Sequence, residues 1–236
     1  LLPIGITCLL IAPANLSTCL LTGATGLLVL FMGRASIKHL LLTIGIAAIP
    51  VVMLIAAAVF THKSEAATVA ANNESGVVQN IRKQGRVGTW VSRIQDFIYA
   101  EGDAVPYQVQ QAKVAIAKGS WIGLGPGNSE QRNFLPHPYS DFIYAIIIEE
   151  YGLVGGAFVL FLYLAFLYRC IKIVVKSPKA FGAFLAVGLG LSLVFQAIIH
   201  MAVSVNLLPV TGLTLPFVSM GGTSMFFTSI AVGIIL

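Results

Sequence analysis

LLLTIGIAAIPVVMLIAAAVF, residues 40–60, runs 21 residues without a charged side chain. Roughly 20 apolar residues cover the hydrocarbon core of a bilayer as a helix, so this stretch reads as a membrane span. Three others match it: 16–33, about 153–173 and 180–201. Of 236 residues, 57% are hydrophobic and 10% are charged, and the mean hydropathy is +0.90. A soluble domain carries about 25% charge. A soluble enzyme, a disordered tail and a nucleic-acid-binding module are all poor fits, and the expected fold is an all-α polytopic membrane protein.

The charges cluster. Residues 61–141 hold 15 of the 23, and the rest of the chain holds eight, six of them basic. Those six lie in GRASIKH (33–39) and RCIKIVVKSPK (169–179). Short loops rich in Lys and Arg stay in the cytoplasm, whereas long loops cross regardless of charge. The two basic loops are separated by two spans and so share a side, which places 61–141 outside. Three segments follow: spans over 1–60, an extracytoplasmic loop with amphipathic helices over 61–141, and spans over 142–236. Both ends fall inside apolar segments, as expected of a piece of a longer membrane protein. Cys8, Cys19 and Cys170 lie in or beside spans with no disulfide or metal-ligand spacing, and read as small apolar residues.

Within the loop, 61–80 is polar, without period, and expected to be mobile. From Ile81, RVGTWVSRIQDFI and its flank alternate Arg82, Arg86 and Arg93 with Val87, Trp90, Val91, Ile94 and Phe97 at helical spacing. That pattern suits a helix lying on a membrane surface, and a helix drawn to anionic lipid competes evenly with a substrate-phosphate site. Further on, Gly123, Gly125 and Gly127 at alternate positions permit close backbone approach. The turn lacks the Lys-Ser/Thr ending of a Walker loop. Its neighbours Asn128, Ser129, Gln131 and Arg132 supply hydrogen-bond donors.

Asp141 stands where the polar turn LPHPYS enters the apolar run FIYAIII. One reading is a first-turn carboxylate favoured by the helix dipole, with Ser140 as cap. The other is a carboxylate at the mouth of a membrane cavity, able to take a proton from a substrate hydroxyl. Glu149, eight residues on, lies about 80° around a helix from Asp141, which puts the two on one face. The pair Glu149 and Glu150 also suits the outer end of a span. NLLPVTGLTLPFVSMGGTS (206–224) breaks an apolar region with two prolines and three glycines. Non-helical backbone at membrane depth is tolerated where it is buried in protein or lines a cavity. A re-entrant element beside Asp141 is expected, with an ordinary external loop as the alternative.

GLGPGNSEQRNFLPHPYSDFIYAIIIEEYGLVGG (123–156), LPVTGLTLPFVSMGGTS (208–224) and PANLST (13–18) followed by LFMGR (30–34) together resemble the SEDS family (shape, elongation, division and sporulation). The resemblance covers nearly the whole chain and looks like the family's C-terminal part. It implies a peptidoglycan glycosyltransferase that polymerises lipid II and releases undecaprenyl pyrophosphate, in the plasma membrane and at the division septum. It places the family's loop aspartate on Asp141, as general base. Candidate substrate-binding residues are Arg93, Lys113, Asn128, Ser129, Gln131, Arg132, Ser219, Gly221, Gly222 and Thr223. The charge of the departing pyrophosphate calls for such donors or for a divalent cation, Mg or Mn, which is the only cofactor left open. Implied partners are the growing glycan strand, a class B penicillin-binding protein and other division proteins. A lipid II flippase and a non-catalytic scaffold remain the rivals. Asn15 and Ser17 stand where the family commonly has Asp and Gly, His137 where it has Glu, and His200 where it has Asn. No role is assigned to either histidine.

Overall fold

The computed structural model describes residues 2–71, 85–100 and 105–236, with side chains for all of these except 61–71 and 85–87. Among them are eight α-helices and no strand: α1 Leu2–Ile11, α2 Leu16–Met32, α3 Ile37–Ala71, α4 Gly85–Tyr99, α5 Tyr107–Gly119, α6 Ile143–Lys176, α7 Ala180–Ser204 and α8 Gly222–Ile235. Three of them are long and apolar enough to cross a membrane: α3 over Ile37–Phe60, α6 and α7. The molecule is an all-α membrane protein. By contacts it divides into residues 36–106 and the remainder, 1–35 with 107–236.

The smaller unit holds α3 and α4. α3 runs on to Ala71, beyond the apolar run, so 61–71 is helical backbone where no period was legible. Residues 72–84, Arg82 among them, lie outside the described residues. α4 packs on α3, and Gln95 Nε2 donates to the Ala58 carbonyl at 3.0 Å.

In the larger unit, α6 and α7 pack against each other, α5 packs on α6, α2 and α8 pack on α7, and α1 on α2. Small residues permit the close crossings: a Cβ on Gly190 of α7 would meet the Cys170 sulfur at 2.8 Å. α2 begins with a true cap, Asn15, whose side chain accepts from the amides of Ser17 at 3.1 Å and Thr18 at 3.3 Å. The Asn at this motif position therefore keeps the acceptor that an Asp would supply. Cys8 and Cys19 are free thiols that contact each other's backbone carbonyls across the α1–α2 pair, in keeping with their apolar setting.

α6 is two helices merged across a break at Gly152, which has φ 71° and ψ −176°. The Gly-rich turn packs into this break backbone against backbone. Leu124 and Gly125 donate their amides to the carbonyls of Glu149 and Glu150, each at 2.9 Å, and Leu153 donates to Ser120 at 2.9 Å. A Cβ on Gly123 would lie 2.3 Å from the Glu150 oxygen, and one on Gly152 would lie 2.2 Å from the Trp121 oxygen. Real Cβ atoms do not come so close, and both glycines also have positive φ. Gly152→Ala is expected to lower stability by about 2–3 kcal/mol, from backbone strain plus displacement of the turn. Thermal unfolding of the detergent-solubilised protein measures this.

Candidate functional site

The site assembles where the loop 120–142 meets the non-helical segment 205–221. Phe142, 1% exposed, packs with Ala112 and Ala115 of α5, Leu135, and Ala145 and Ile146 of α6. This apolar plug fixes the start of α6 and the residue next to Asp141. The turn before it is tight: His137, at φ 61°, offers its carbonyl to the amides of Ser140 and Asp141, each at 3.2 Å.

Asp141 does not begin the helix. The residue preceding α6 is Phe142, with no side-chain cap, and Ser140 gives its hydroxyl to Asp141 Oδ1 at 3.0 Å instead of capping. The Ser140 cap expected from the sequence is therefore corrected. The reading of Asp141 as a first-turn carboxylate loses its support as well. The shared face with Glu149 also lapses, because Asp141 lies outside the helix. Asp141 is half-buried, and its second carboxylate oxygen accepts no hydrogen bond from the described residues.

The segment 205–221 grips this turn by its backbone. Ser219 Oγ donates to the Ser140 carbonyl at 2.8 Å and accepts from the Leu215 amide at 2.7 Å. The Met220 amide donates to the Tyr139 carbonyl at 2.8 Å. The segment is in turn held by the spans. Gln196 Nε2 donates to Thr214 O at 2.8 Å, His200 Nδ1 bonds Leu213 O at 2.7 Å, and the Tyr163 hydroxyl donates to Pro216 O. Buried irregular backbone must find partners inside the protein, and these side chains provide them. With Leu213, Leu215 and Ser219 buried, the segment is the broken, non-helical stretch expected between α7 and α8. His200, 1% exposed, is one of its fasteners and an electrostatic neighbour of Asp141.

Glu149 is fully buried. It accepts from the Ser129 hydroxyl and from the amides of Glu130 at 3.2 Å and Gln131 at 3.3 Å, while Ser129 Oγ accepts from the Arg132 amide at 3.3 Å. This buried carboxylate shapes the loop 129–132, a role the sequence reading passed over in favour of an interfacial pair. The signal was present, because a carboxylate inside an apolar run requires a partner. Ser129 and Gln131, taken as substrate donors, are buried at 3% and 5% exposure, and Ser129 is committed to Glu149.

Asn128 is exposed, with its amide on the Leu124 carbonyl at 3.1 Å. Arg132 is half-buried, and Lys113 is exposed on α5. Ser219 is 2% exposed and belongs to the clamp, while Gly221, Gly222 and Thr223 open α8. Arg93 lies on α4 in the smaller unit and is described with that unit alone. At the loop's edge, the Lys118 ammonium hydrogen-bonded to the exposed Glu130 holds that carboxyl below the usual carboxylate range. The pair is therefore formed at neutral pH and lost as acid protonates Glu130. Among the described residues no three His, Cys, Asp or Glu side chains converge on a metal position.

A polytopic helical membrane protein with a carboxylate loop clamped by a re-entrant segment is thus the class defined by fold and site. The chain belongs to the FtsW/RodA/SpoVE family of cell cycle proteins, whose family profile matches residues 2–236. It is 45% identical over 134 residues to a probable peptidoglycan glycosyltransferase FtsW of Hydrogenovibrio crunogenus, covering 55% of this chain and 34% of that protein. It is 42% identical over 131 residues to the stage V sporulation protein E of Bacillus subtilis, covering 55% of this chain and 36% of that one. These matches span about a third of the length of the curated relatives. The fold is that of a chain solved in work on "structural coordination of polymerization and crosslinking by a peptidoglycan synthase complex". The TM-score is 0.60 at 22% identity, over 96% of this chain and 56% of that one.

Proposed function

We propose that this chain carries the glycosyl-transfer site of a peptidoglycan glycosyltransferase that polymerises lipid II. The observation that carries the reading is Asp141: one oxygen fixed by Ser140, the other without a hydrogen bond among the described residues, on a turn gripped by the segment 205–221. A general base needs that combination of a fixed position and an open lone pair. Relatives named as probable peptidoglycan glycosyltransferases support the reaction class.

In the proposed reaction the acceptor sugar hydroxyl gives its proton to Asp141 as its oxygen attacks the donor's anomeric carbon. The bond from that carbon to undecaprenyl pyrophosphate breaks, and the pyrophosphate leaves as an anion. Arg132 and Lys113 supply positive charge and donors for that anion. A divalent cation, where bound through the phosphates, would polarise the same leaving group. Asp141 is proposed to face outside the plasma membrane at the division septum, with a penicillin-binding protein as partner for cross-linking.

The test is polymerisation of purified lipid II by the full-length protein in proteoliposomes, read as glycan ladders on a gel. Ladders are expected. A folded full-length protein that makes none, alone or with its penicillin-binding partner, overturns the proposal.

A further inference from the structure

Beside the clamp, α6, α7 and the re-entrant segment enclose a cavity of about 230 Å³ with an almost wholly apolar lining. Tyr163 and Leu193, at 7% and 8% exposure, are its floor. Leu162, Phe217 and Val218, at 50%, 45% and 41%, are its open rim. The one polar group of the lining is turned away, because the Tyr163 hydroxyl is spent on the Pro216 carbonyl. Its helical walls are the two spans Ile143–Lys176 and Ala180–Ser204, so the cavity opens among side chains adapted to hydrocarbon.

The position relative to Asp141 gives the cavity its meaning. Val218 on the rim is bonded to Ser219, and Ser219 holds Ser140, the neighbour of Asp141. Along four residues the re-entrant segment thus passes from an apolar wall to the polar clamp. A ligand lying along this stretch with its head toward the Asp141 turn must carry a polar head joined directly to an apolar chain. The volume lies below the roughly 300–1,000 Å³ of a drug-sized pocket, so it admits a section of one chain. A bilayer phospholipid carries two chains on a glycerol, whereas a polyprenyl pyrophosphate carries one chain directly on its phosphate.

We propose that this slot holds the first isoprene units of the polyprenyl carrier, and so selects the donor by its chain. The assignment rests on the glycosyltransferase reading and specifies where its lipid sits.

Leu162→Trp fills the slot from the rim, and Leu162→Ala removes the same contact without adding bulk. Each is made in the full-length protein and assayed with disaccharide-pentapeptide donors on undecaprenyl and on geranyl pyrophosphate. Leu162→Trp is expected to raise KM for the undecaprenyl donor about tenfold, and Leu162→Ala about threefold, from lost chain burial. The geranyl donor, whose two isoprene units are the ones the slot holds, should lose by the same factors, with kcat unchanged for both donors. No effect on either donor, or an effect on the undecaprenyl donor alone, overturns the slot and leaves these units to bulk lipid, with the glycosyltransferase reading intact. A wild type inert on both donors overturns that reading and the slot with it.

Discussion

Asp141→Asn in the full-length protein is expected to slow lipid II polymerisation about 10³-fold, within the usual range for loss of a general base. The fold should be unaffected. Asn keeps an acceptor oxygen for the Ser140 hydroxyl, and the turn is held through the backbone carbonyls of residues 139 and 140. What changes is the second position, where an amide NH2 donates and cannot take a proton. The loss should therefore fall on kcat, with KM for lipid II and thermal stability unchanged. A flippase would move lipid II without needing this carboxylate as a base, and a scaffold would not polymerise at all. Full polymerisation by a folded Asp141→Asn protein removes Asp141 from the mechanism.

Glu149→Ala is expected to destabilise the larger unit by about 3–5 kcal/mol, the cost of three donors left without an acceptor less what the loop recovers by relaxing. Three donors, the Ser129 hydroxyl and the amides of Glu130 and Gln131, lose their acceptor in a buried place. Each orphaned donor costs about 1–3 kcal/mol before the loop relaxes. Glu149→Gln should cost far less, since its amide oxygen can accept from the two backbone N–H groups and the Ser129 hydroxyl can turn to accept from its NH2. Unfolding temperatures of the two variants in detergent check the contrast. Equal losses in Ala and Gln would mean that charge, not acceptor geometry, holds the loop.

The spans were legible because a bilayer imposes length and apolarity directly on the sequence. The stretch 40–60 falls inside α3, 180–201 inside α7, and 153–173 inside α6. The re-entrant segment was legible for a related reason, since prolines and glycines without charge in an apolar region have few other uses. Asp141 stood out as a carboxylate at a polar-to-apolar junction. Its surroundings did not, because the clamp runs through backbone atoms of 139 and 140, which side-chain identity does not encode. The alternating glycines suggested phosphate binding, but Gly123 is accounted for by contact with α6. A glycine signals close approach without naming what approaches. Ser129 was misjudged for the complementary reason: its partner Glu149 is 20 residues away, and only the fold shows that its hydroxyl is already engaged.

The backbone grip on residues 139 and 140 also bears on mutational tolerance. Ser219 and Met220 reach for carbonyl oxygens, which every residue carries, so the identity of Tyr139 is not what holds the turn. In a saturation library, position 139 should therefore accept wide substitution. Position 219 should accept only residues whose side chain both donates and accepts, chiefly Ser and Thr. The chemistry at Asp141 would then be protected by a residue 78 positions away and left indifferent to one two positions before it, so the distance along the chain at which a change does harm is the reverse of intuition.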